Sequence, residues 1–355
     1  MADGVVVAGA GKQISSGKGR VDKGLQVTMM EEEMTFLQKV TRREPYIGLL
    51  LRFAASVVLL MTFGVAERTT ATTVQQMTFP SAEEAVKVAI AAVRSNDDNE
   101  MLAIFGADAR DIIFSGDPVA DKSRRQRFLK AYEEKHQLIR EGDNRVLVVG
   151  KEDWPFPIPM VKKDNGWVFD TEQGKEEILN RRIGENELSA IQVLLAIVDA
   201  QREYVMEDRD GNNLLEYAQK FRSDAGRKNG LYWEAQAGEA QSPLGPLVAQ
   251  ARSEGYKRQA STDKPIPYHG YYYNILSAQG KNASGGAYDY VVKGKLIGGF
   301  ALVARPAEYG NSGVMTFVVN HDGNVFEKDL GNDSESIAAV MKAYNPDSRW
   351  AEVKK

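Results

Sequence analysis

The sequence predicts an α+β protein, in which helices and antiparallel strands occupy separate stretches of the chain. Residues 82–138 have the spacing of helices and residues 145–169 that of strands. The same order recurs later, with a helix over 185–206 and a β-rich stretch from residue 267. Helices followed by runs of strands are typical of the α+β class. We therefore expect two α+β domains, at 78–183 and 185–345, after an N-terminal extension with a signal peptide (1–66) and a linker (67–77).

The composition indicates a globular protein and excludes several chemistries. Of the 355 residues 43% are hydrophobic and 26% are charged, which suffices for a core. The count of 0 Cys excludes disulfides, thiolate catalysis and cysteine-ligated metal sites. The net charge is −4, whereas proteins that bind nucleic acid usually carry a basic surface, so the composition argues against this class of partner.

The N-terminal region contains an export signal. Basic residues up to Arg52 precede an apolar stretch over 53–66, and the small residues Gly64 and Ala66 suit cleavage after Ala66. The alternative is an uncleaved membrane anchor, which would be the chain's contact with a membrane. The signal predicts a secreted protein of the periplasm or cell envelope.

The first domain begins with a capped helix and ends in strands. Ser81 with Glu84 three residues on forms a capping box for a helix over 82–93. Further helices are predicted at 99–105 and 122–138, the second with His136 as a candidate for its buried face. Strands follow at 145–149, 160–163 and 167–169, the last two joined by an Asn-Gly turn at Gly166. This pattern resembles the cone of nuclear-transport-factor-like (NTF2) and cystatin-type folds.

The second domain combines one long helix with a meander of strands. Apolar residues at helical spacing predict the helix over 185–206. Strands are predicted at 268–276, 288–292, 299–304, 314–319 and 324–328, with a final helix at 334–344. A long helix packed on an antiparallel sheet resembles the globular head of pilins and pseudopilins.

A loop after the long helix is the candidate ion site. Oxygen-bearing side chains alternate in it: Asp208, Asp210, Asn212 and Glu216. Calcium is bound by such sets of carboxylate and carbonyl oxygens. The match to an EF-hand loop is partial, because Asn213 stands where that loop has glycine. Calcium as a cofactor and a plain Asx-rich turn are the two alternatives.

Two further groups of residues are candidates for function. His269, Glu308, His321 and Asp322 could form a hydrolytic or metal site if the ends of their strands meet. The alternative is that these histidines only hydrogen-bond neighbouring backbone. Aromatic residues could form a surface for a glycan or a peptide: Trp233, Tyr268, Tyr271, Tyr272 and Tyr273. Burial of alternate tyrosines in the core is the competing interpretation.

Several motifs together resemble a known family. They include Trp154-Pro-Phe-Pro-Ile-Pro159, Tyr268-His-Gly-Tyr-Tyr272 and Asn320-His-Asp-Gly323, with further matching segments at 178–184, 199–204, 230–233, 242–246, 298–302, 308–310, 313–317 and 328–331. These motifs, over residues 78–350, resemble an uncharacterised family of exported bacterial proteins, a domain of unknown function. The resemblance implies export and the domain boundaries, but no reaction. The family loop reads Asp-Gly-Asp-Gly where this chain has Asp210-Gly-Asn-Asn213, so the resemblance weakens the calcium hypothesis.

Three functions follow as hypotheses. The first is a non-catalytic binding or assembly module of the cell envelope, with an envelope protein, a peptide or a glycan as partner. The second is an envelope hydrolase that uses His269 and His321 with Asp322 and Glu308. The third is a pseudopilin-like structural subunit.

Overall fold

A computed structural model describes residues 75–209, 211–257 and 265–354. The fold class is α+β, as the sequence predicts. The described residues belong to one compact unit that contains two hydrophobic cores, which we call the first lobe and the second lobe. Within these ranges, no helix combines the length and the apolar character needed to cross a bilayer. The predicted export signal lies outside the described residues.

The first lobe begins with four helices. They are α1 (Ala82–Ser95), α2 (Asp98–Phe105), α3 (Arg110–Ile113) and α4 (Pro118–Glu134). Ser81 caps α1 as predicted, because its hydroxyl accepts a hydrogen bond of 3.1 Å from the Glu84 N–H. Asp117 caps α4 in the same way, with proline in the first turn.

Five strands complete the first lobe in an antiparallel sheet of order β1-β2-β4-β5, with β3 paired to β2. They are β1 (His136–Glu141), β2 (Asn144–Val149), β3 (Trp154–Pro155), β4 (Met160–Lys163) and β5 (Gly166–Phe169). The predicted hairpin is present, with Lys163 paired to Gly166. The helix predicted over 122–138 ends at Glu134 instead, and the exposed His136 begins β1, because the β1–β2 pairing outcompetes a weak local helical preference.

One helix is shared by both lobes. Helix α5 (Thr171–Tyr204) runs for 34 residues and continues through residue 184, where the sequence analysis places its domain boundary. Its second half buries an apolar stripe that includes Leu194, Ile197 and Val198. Its first half buries polar residues such as Arg182 and Asn186 instead. Apolar periodicity therefore predicted only the second half.

The second lobe is built on an antiparallel sheet of order β15-β13-β12-β11-β6. Its helices are α6 (Gly245–Glu254) and α7 (Ser334–Ala339). Its strands are β6 (Tyr271–Leu276), β7 (Ala278–Gln279), β8 (Tyr288–Asp289), β9 (Val291–Val292), β10 (Lys295–Leu296), β11 (Ala301–Pro306), β12 (Met315–Asn320), β13 (Val325–Asp329), β14 (Ala343–Tyr344) and β15 (Ala351–Glu352). The predicted final helix ends at Ala339, and Tyr344 instead pairs in parallel with Gln279 of β7.

The contact surface between the lobes, which we call the junction, is polar. It contains four buried residues that carry hydrogen-bonding groups: Asp117, Arg182, Asn311 and Ser312. Arg182 donates to the carbonyls of Asp111 and Ile112 in the first lobe and to the Asn311 amide oxygen in the second. The junction thus consists of specific hydrogen bonds, with Arg182 Nε as a buried group that lacks a partner.

Candidate functional site

The four predicted catalytic residues lie at two opposite ends of the second sheet. Tyr271 at the start of β6 pairs with Pro306, whereas Leu276 at its end pairs with Ala301, and Ala301 also pairs with Asn320. His269 and Glu308 therefore lie at one end, and His321 and Asp322 at the other. Five residues of strand separate the two ends by about 17 Å. The expectation that these strand ends meet is wrong, and the predicted hydrolytic cluster does not form.

His321 and Asp322 form a turn that contacts α5. Arg202 on α5 donates to the carbonyls of both residues, at 2.9 and 3.2 Å. The His321 Nε2 is 3.8 Å from Asp322 Oδ1, and its Nδ1 is buried without a hydrogen-bond partner. Apart from that nitrogen, the contacts are those of a turn held by backbone hydrogen bonds.

Glu308 belongs to the junction. Its Oε2 accepts a hydrogen bond of 3.0 Å from the Asn311 amide, and its N–H donates to the Ser312 hydroxyl at 2.9 Å. Asn311 also donates to the Phe114 carbonyl of the first lobe, at 3.2 Å. Glu308 thus supports the loop that joins the lobes.

The predicted aromatic surface is divided by the geometry of β6. Tyr271 is 0% exposed and donates to the Met315 carbonyl at 2.9 Å, so it is a core residue. Tyr272 points to the opposite face, and Tyr273 shares the face of Tyr271 because side chains alternate along a strand. Trp233 is 8% exposed. The expectation of a contact surface therefore does not hold for Tyr271 and Trp233, which are buried.

The acidic loop folds as an Asx turn in its described part. Asp208 accepts hydrogen bonds from the N–H groups of Gly211, Asn212 and Asn213, at 2.9, 3.1 and 2.7 Å. Glu216 Oε1 accepts from the Asn212 amide at 2.6 Å and from the Lys295 ammonium at 2.7 Å. Asp210 lies outside the described residues. Where the structure describes the chain, no group of three or more His, Asp or Glu side chains could hold a metal ion.

Two of the predicted residues, Tyr268 and His269, come together with three that the sequence analysis missed. We call these five residues the junction cluster: Asp117, Glu254, Tyr256, Tyr268 and His269. The His269 Nε2 lies 3.3 Å from Glu254 Oε2. The rings of Tyr268 and His269 are 4.2 Å apart between centroids, and those of Tyr256 and Tyr268 are 4.9 Å apart.

Asp117 holds the loop that carries His269. Its Oδ2 accepts from the Tyr256 hydroxyl at 2.7 Å and from the Gly270 N–H at 3.2 Å. The Tyr256 oxygen in turn accepts from the His269 N–H at 3.3 Å. His269 has φ of 50° and Gly270 has φ of 73°, a left-handed conformation that is costly for histidine. Such strained positions concentrate at functional sites.

Glycine is required beside His269. A Cβ at position 270 would collide with the amide of Asn186, which donates to the Ser312 carbonyl at 2.7 Å. Both the positive φ and the close approach of α5 exclude a larger residue there. The histidine is thus positioned by contacts from both lobes.

The charge state of the junction cluster follows from burial and from hydrogen bonds. Burial would raise the pKa of Glu254, but hydrogen bonds from His269 and Gln250 outweigh it and leave the pKa below its ordinary value. Burial, together with the charge of Glu254, raises the pKa of Tyr268. Burial and the charge of Asp117 do the same for the pKa of Tyr256. At neutral pH the cluster therefore presents an ionised carboxylate beside protonated tyrosines.

Two atoms of the junction cluster are buried without a well-formed hydrogen bond. They are the Tyr268 hydroxyl oxygen and Glu254 Oε2, whose polar contacts are with each other and, for Glu254, with His269 Nε2. An unpaired buried polar atom costs about 1–3 kcal/mol, so folded proteins rarely leave one without a reason. The sequence signal that could have found part of this site is the Asp117-Pro118 helix start. Glu254 is the last residue of the short helix α6 and Tyr256 lies just after it, and this helix was not predicted from the sequence.

Comparison with known proteins identifies the family. The family model described as protein of unknown function (DUF2950) matches residues 76–353, and the chain belongs to this family. No curated protein and no solved structure matches the chain.

Proposed function

We propose that this chain is an exported protein of the periplasm or cell envelope, and that its folded part is a binding module. The proposed ligand site is the junction cluster. The observation that supports it is a pair of buried atoms without a well-formed hydrogen bond, Tyr268 Oη and Glu254 Oε2, the second of which lies 3.3 Å from His269 Nε2. Binding sites between two lobes with a few convergent polar groups are common.

The proposed ligand carries hydroxyl groups, as a glycan does. A single hydroxyl can donate to the Glu254 carboxylate and accept from Tyr268 or His269, so one group would satisfy the cluster. A peptide N–H can only donate, and a peptide carbonyl can only accept. The rings of Tyr256 and Tyr268 provide apolar surface of the kind that packs against a sugar.

The two alternatives have less support. A hydrolase that uses all four predicted residues requires His269 and His321 in one site, and they lie at opposite ends of the sheet. A pseudopilin-like subunit is supported by the packing of α5 on an antiparallel sheet, and it predicts self-association at high concentration.

Thermal unfolding of the mature form, residues 67–355, tests the binding site. The probes are hexoses, N-acetylhexosamines and their disaccharides, with a matched set of dipeptides. A sugar at about a hundred times its dissociation constant stabilises by about 2.7 kcal/mol. We expect a shift with at least one sugar that is lost in Tyr268→Phe and Glu254→Gln. Tyr288→Phe is the control, since Tyr288 is 40% exposed and distant in the fold.

Two outcomes would contradict the binding proposal. One is a sugar-induced shift that both junction variants retain. The other is a shift with dipeptides and none with sugars, which would make the partner a peptide.

Export is tested separately in cells. We expect the protein in the periplasmic or envelope fraction of a bacterial host, with a new N-terminus at Glu67. Leu59→Arg combined with Leu60→Arg would interrupt the apolar stretch and retain the full-length chain in the cytoplasm. Wild-type protein that stays in the cytoplasm at full length would contradict export.

A further inference from the structure

A row of polar side chains crosses one face of the second sheet. Arg305 on β11 pairs with Tyr272 on β6, and Thr316 on β12 pairs with Lys328 on β13. The pairing of Ala304 with Phe317 places Arg305 opposite Thr316. Directly paired residues share a face, so these four side chains lie side by side. This face packs against α7, because Arg305 lies 3.7 Å from Glu335.

Arg305 is a buried cation with unused hydrogen-bond donors. Its side chain is only 11% exposed. Its Nε and Nη1 are buried and have no hydrogen-bond partner. The 3.7 Å between Nη1 and Glu335 Oε1 is too long for a hydrogen bond, and Glu335 is 72% exposed. The guanidinium stacks on Tyr272, with 4.7 Å from its carbon to the ring centroid. The stacking orients the guanidinium but satisfies none of its N–H groups.

Thr316 adds an unused hydroxyl at the neighbouring position. Thr316 is 0% exposed, and its Oγ1 has no hydrogen-bond partner. Valine has the same shape and would avoid the cost of a buried hydroxyl. A purely structural role for Thr316 and Arg305 therefore leaves three buried polar atoms unexplained.

The local charge favours an anion. Lys328 follows Thr316 in the row, and its ammonium lies 5.9 Å from the centroid of the Trp350 ring. The nearby Asp347 is paired with Arg349 at 2.6 Å. Glu335 is thus the acidic group that faces Arg305, and it is mostly in solvent. Two cations and a hydroxyl are the groups that proteins use to bind oxyanions.

We propose that Arg305, Thr316 and Lys328 form a binding site for a small oxyanion, a carboxylate or a phosphate group. Arg305 and Thr316 donate hydrogen bonds to the oxyanion, and Lys328 contributes charge. The exposed Glu335, 3.7 Å from Arg305, competes with the ligand for Arg305. This site lies on the face of the sheet opposite to Tyr273, whose hydroxyl donates to the Tyr268 carbonyl of the junction cluster, and it does not depend on the proposed function.

Isothermal titration of the mature form tests the site. Inorganic phosphate and acetate are titrated separately at constant ionic strength, with chloride as the balancing anion. We expect saturable binding of at least one of them. Which anion binds distinguishes a phosphate site from a carboxylate site. Arg305→Gln should weaken it at least tenfold, and Glu335→Gln should strengthen it by removing the competing carboxylate. Arg349→Gln is the matched control, because this exposed arginine already pairs with Asp347.

Thr316→Val keeps the test valid if the arginine variant unfolds. We expect weaker anion binding from this variant with no loss of thermal stability in anion-free buffer. Absence of saturable binding for both anions would overturn the proposal and would mean that water satisfies the unpaired atoms of Arg305 and Thr316. Binding that is unchanged in both Arg305→Gln and Thr316→Val would also overturn it.

Discussion

The carboxylate of Asp117 in the first lobe lies 2.7 Å from the hydroxyl of Tyr256 in the second. The same carboxylate caps α4, since its Oδ1 accepts from the Val119 and Ala120 N–H groups at 3.2 and 3.0 Å. One side chain therefore caps the N-terminus of a helix, joins two lobes and holds the loop of His269. The start of α4 in the first lobe and the position of the His269 loop therefore depend on the same carboxylate.

Tyr256→Phe removes one hydrogen bond to that buried carboxylate. We expect a loss of about 1.5–3 kcal/mol in the free energy of unfolding, the range for a hydrogen bond to a charged group. Urea denaturation measures it. Tyr309→Phe is the control, because its hydroxyl donates to Asp329 at 3.0 Å in an exposed position and should cost less than about 1 kcal/mol. Equal losses in the two variants would contradict the expectation that the buried Tyr256–Asp117 hydrogen bond contributes more stability than the exposed one.

Tyr268→Phe removes a buried hydroxyl that makes no well-formed hydrogen bond. We expect the ligand-free protein to be as stable as wild type or more stable, by up to about 1 kcal/mol, because the desolvation cost disappears. Tyr290→Phe is the contrast, since the Tyr290 hydroxyl donates to Gln279 at 2.9 Å in the core. That variant should lose about 1–3 kcal/mol. Destabilisation by Tyr268→Phe would mean that its hydroxyl is already satisfied without ligand.

Arg182→Met tests the polar junction. Burial, then the charge of Arg124, lowers the pKa of Arg182 to about 10, so it remains charged at neutral pH. The variant leaves its buried acceptors without a donor, and we expect a loss of about 3 kcal/mol or more in urea denaturation. Arg181→Met at the adjacent position is the control. Arg181 is half-buried, pairs with Glu177 at 2.7 Å and stacks on Trp154, but it leaves no buried acceptor unpaired and should cost about 1 kcal/mol.

Glu187→Gln should change how stability depends on pH. Burial raises the pKa of Glu187, and the charge of Asp329 adds to this, against the two hydrogen bonds from Val314 and Met315. A raised pKa means that the folded protein binds the proton more tightly. The stabilising contribution is present below the unfolded value of 4.5 and is lost as pH rises through the folded pKa. Glutamine does not titrate, so the variant should gain stability relative to wild type over that rise.

Glu185→Gln provides the opposite sign for this pH experiment. Burial would raise the pKa of Glu185, but the charges of Arg124 and Arg127 lower it overall. Its stabilising contribution is present above the unfolded pKa and is lost as pH falls through the folded pKa. Thermal melts from about pH 3 to 8 compare the two variants, because the contribution of Glu185 is lost below the ordinary value of 4.5. The same slope for both would contradict the assigned directions.

Lys295→Gln tests the calcium hypothesis for the acidic loop. The Lys295 ammonium lies 2.7 Å from Glu216 and competes with a cation for that carboxylate. We expect millimolar calcium to raise the melting temperature more in Lys295→Gln than in wild type, each measured against chelator. Lys220→Gln, which removes a surface pair with Asp224, is the control. No calcium effect in either variant would contradict calcium binding and would mean that the loop is a plain Asx turn.

The parts of the fold that local chemistry controls were predictable. The Ser81 cap and the hairpin at Gly166 were predicted correctly, because each depends on a few neighbouring residues. The long helix was predicted only where it has an apolar stripe. Its first half is helical because the junction supplies partners for Arg182 and Asn186, which no local pattern reveals.

The candidate site required the tertiary structure. Sequence alone determined the α+β class, the absence of cysteine chemistry and the family motifs around Tyr268 and His269. The strand register decided that His269 and His321 lie at opposite ends of a sheet. Packing of the two lobes decided that His269 meets Glu254, and Tyr256 meets Asp117, 139 residues away in the chain. The physical reason is that local sequence sets dihedral preferences and caps, whereas pairing between distant segments depends on which surfaces the whole chain can bury together.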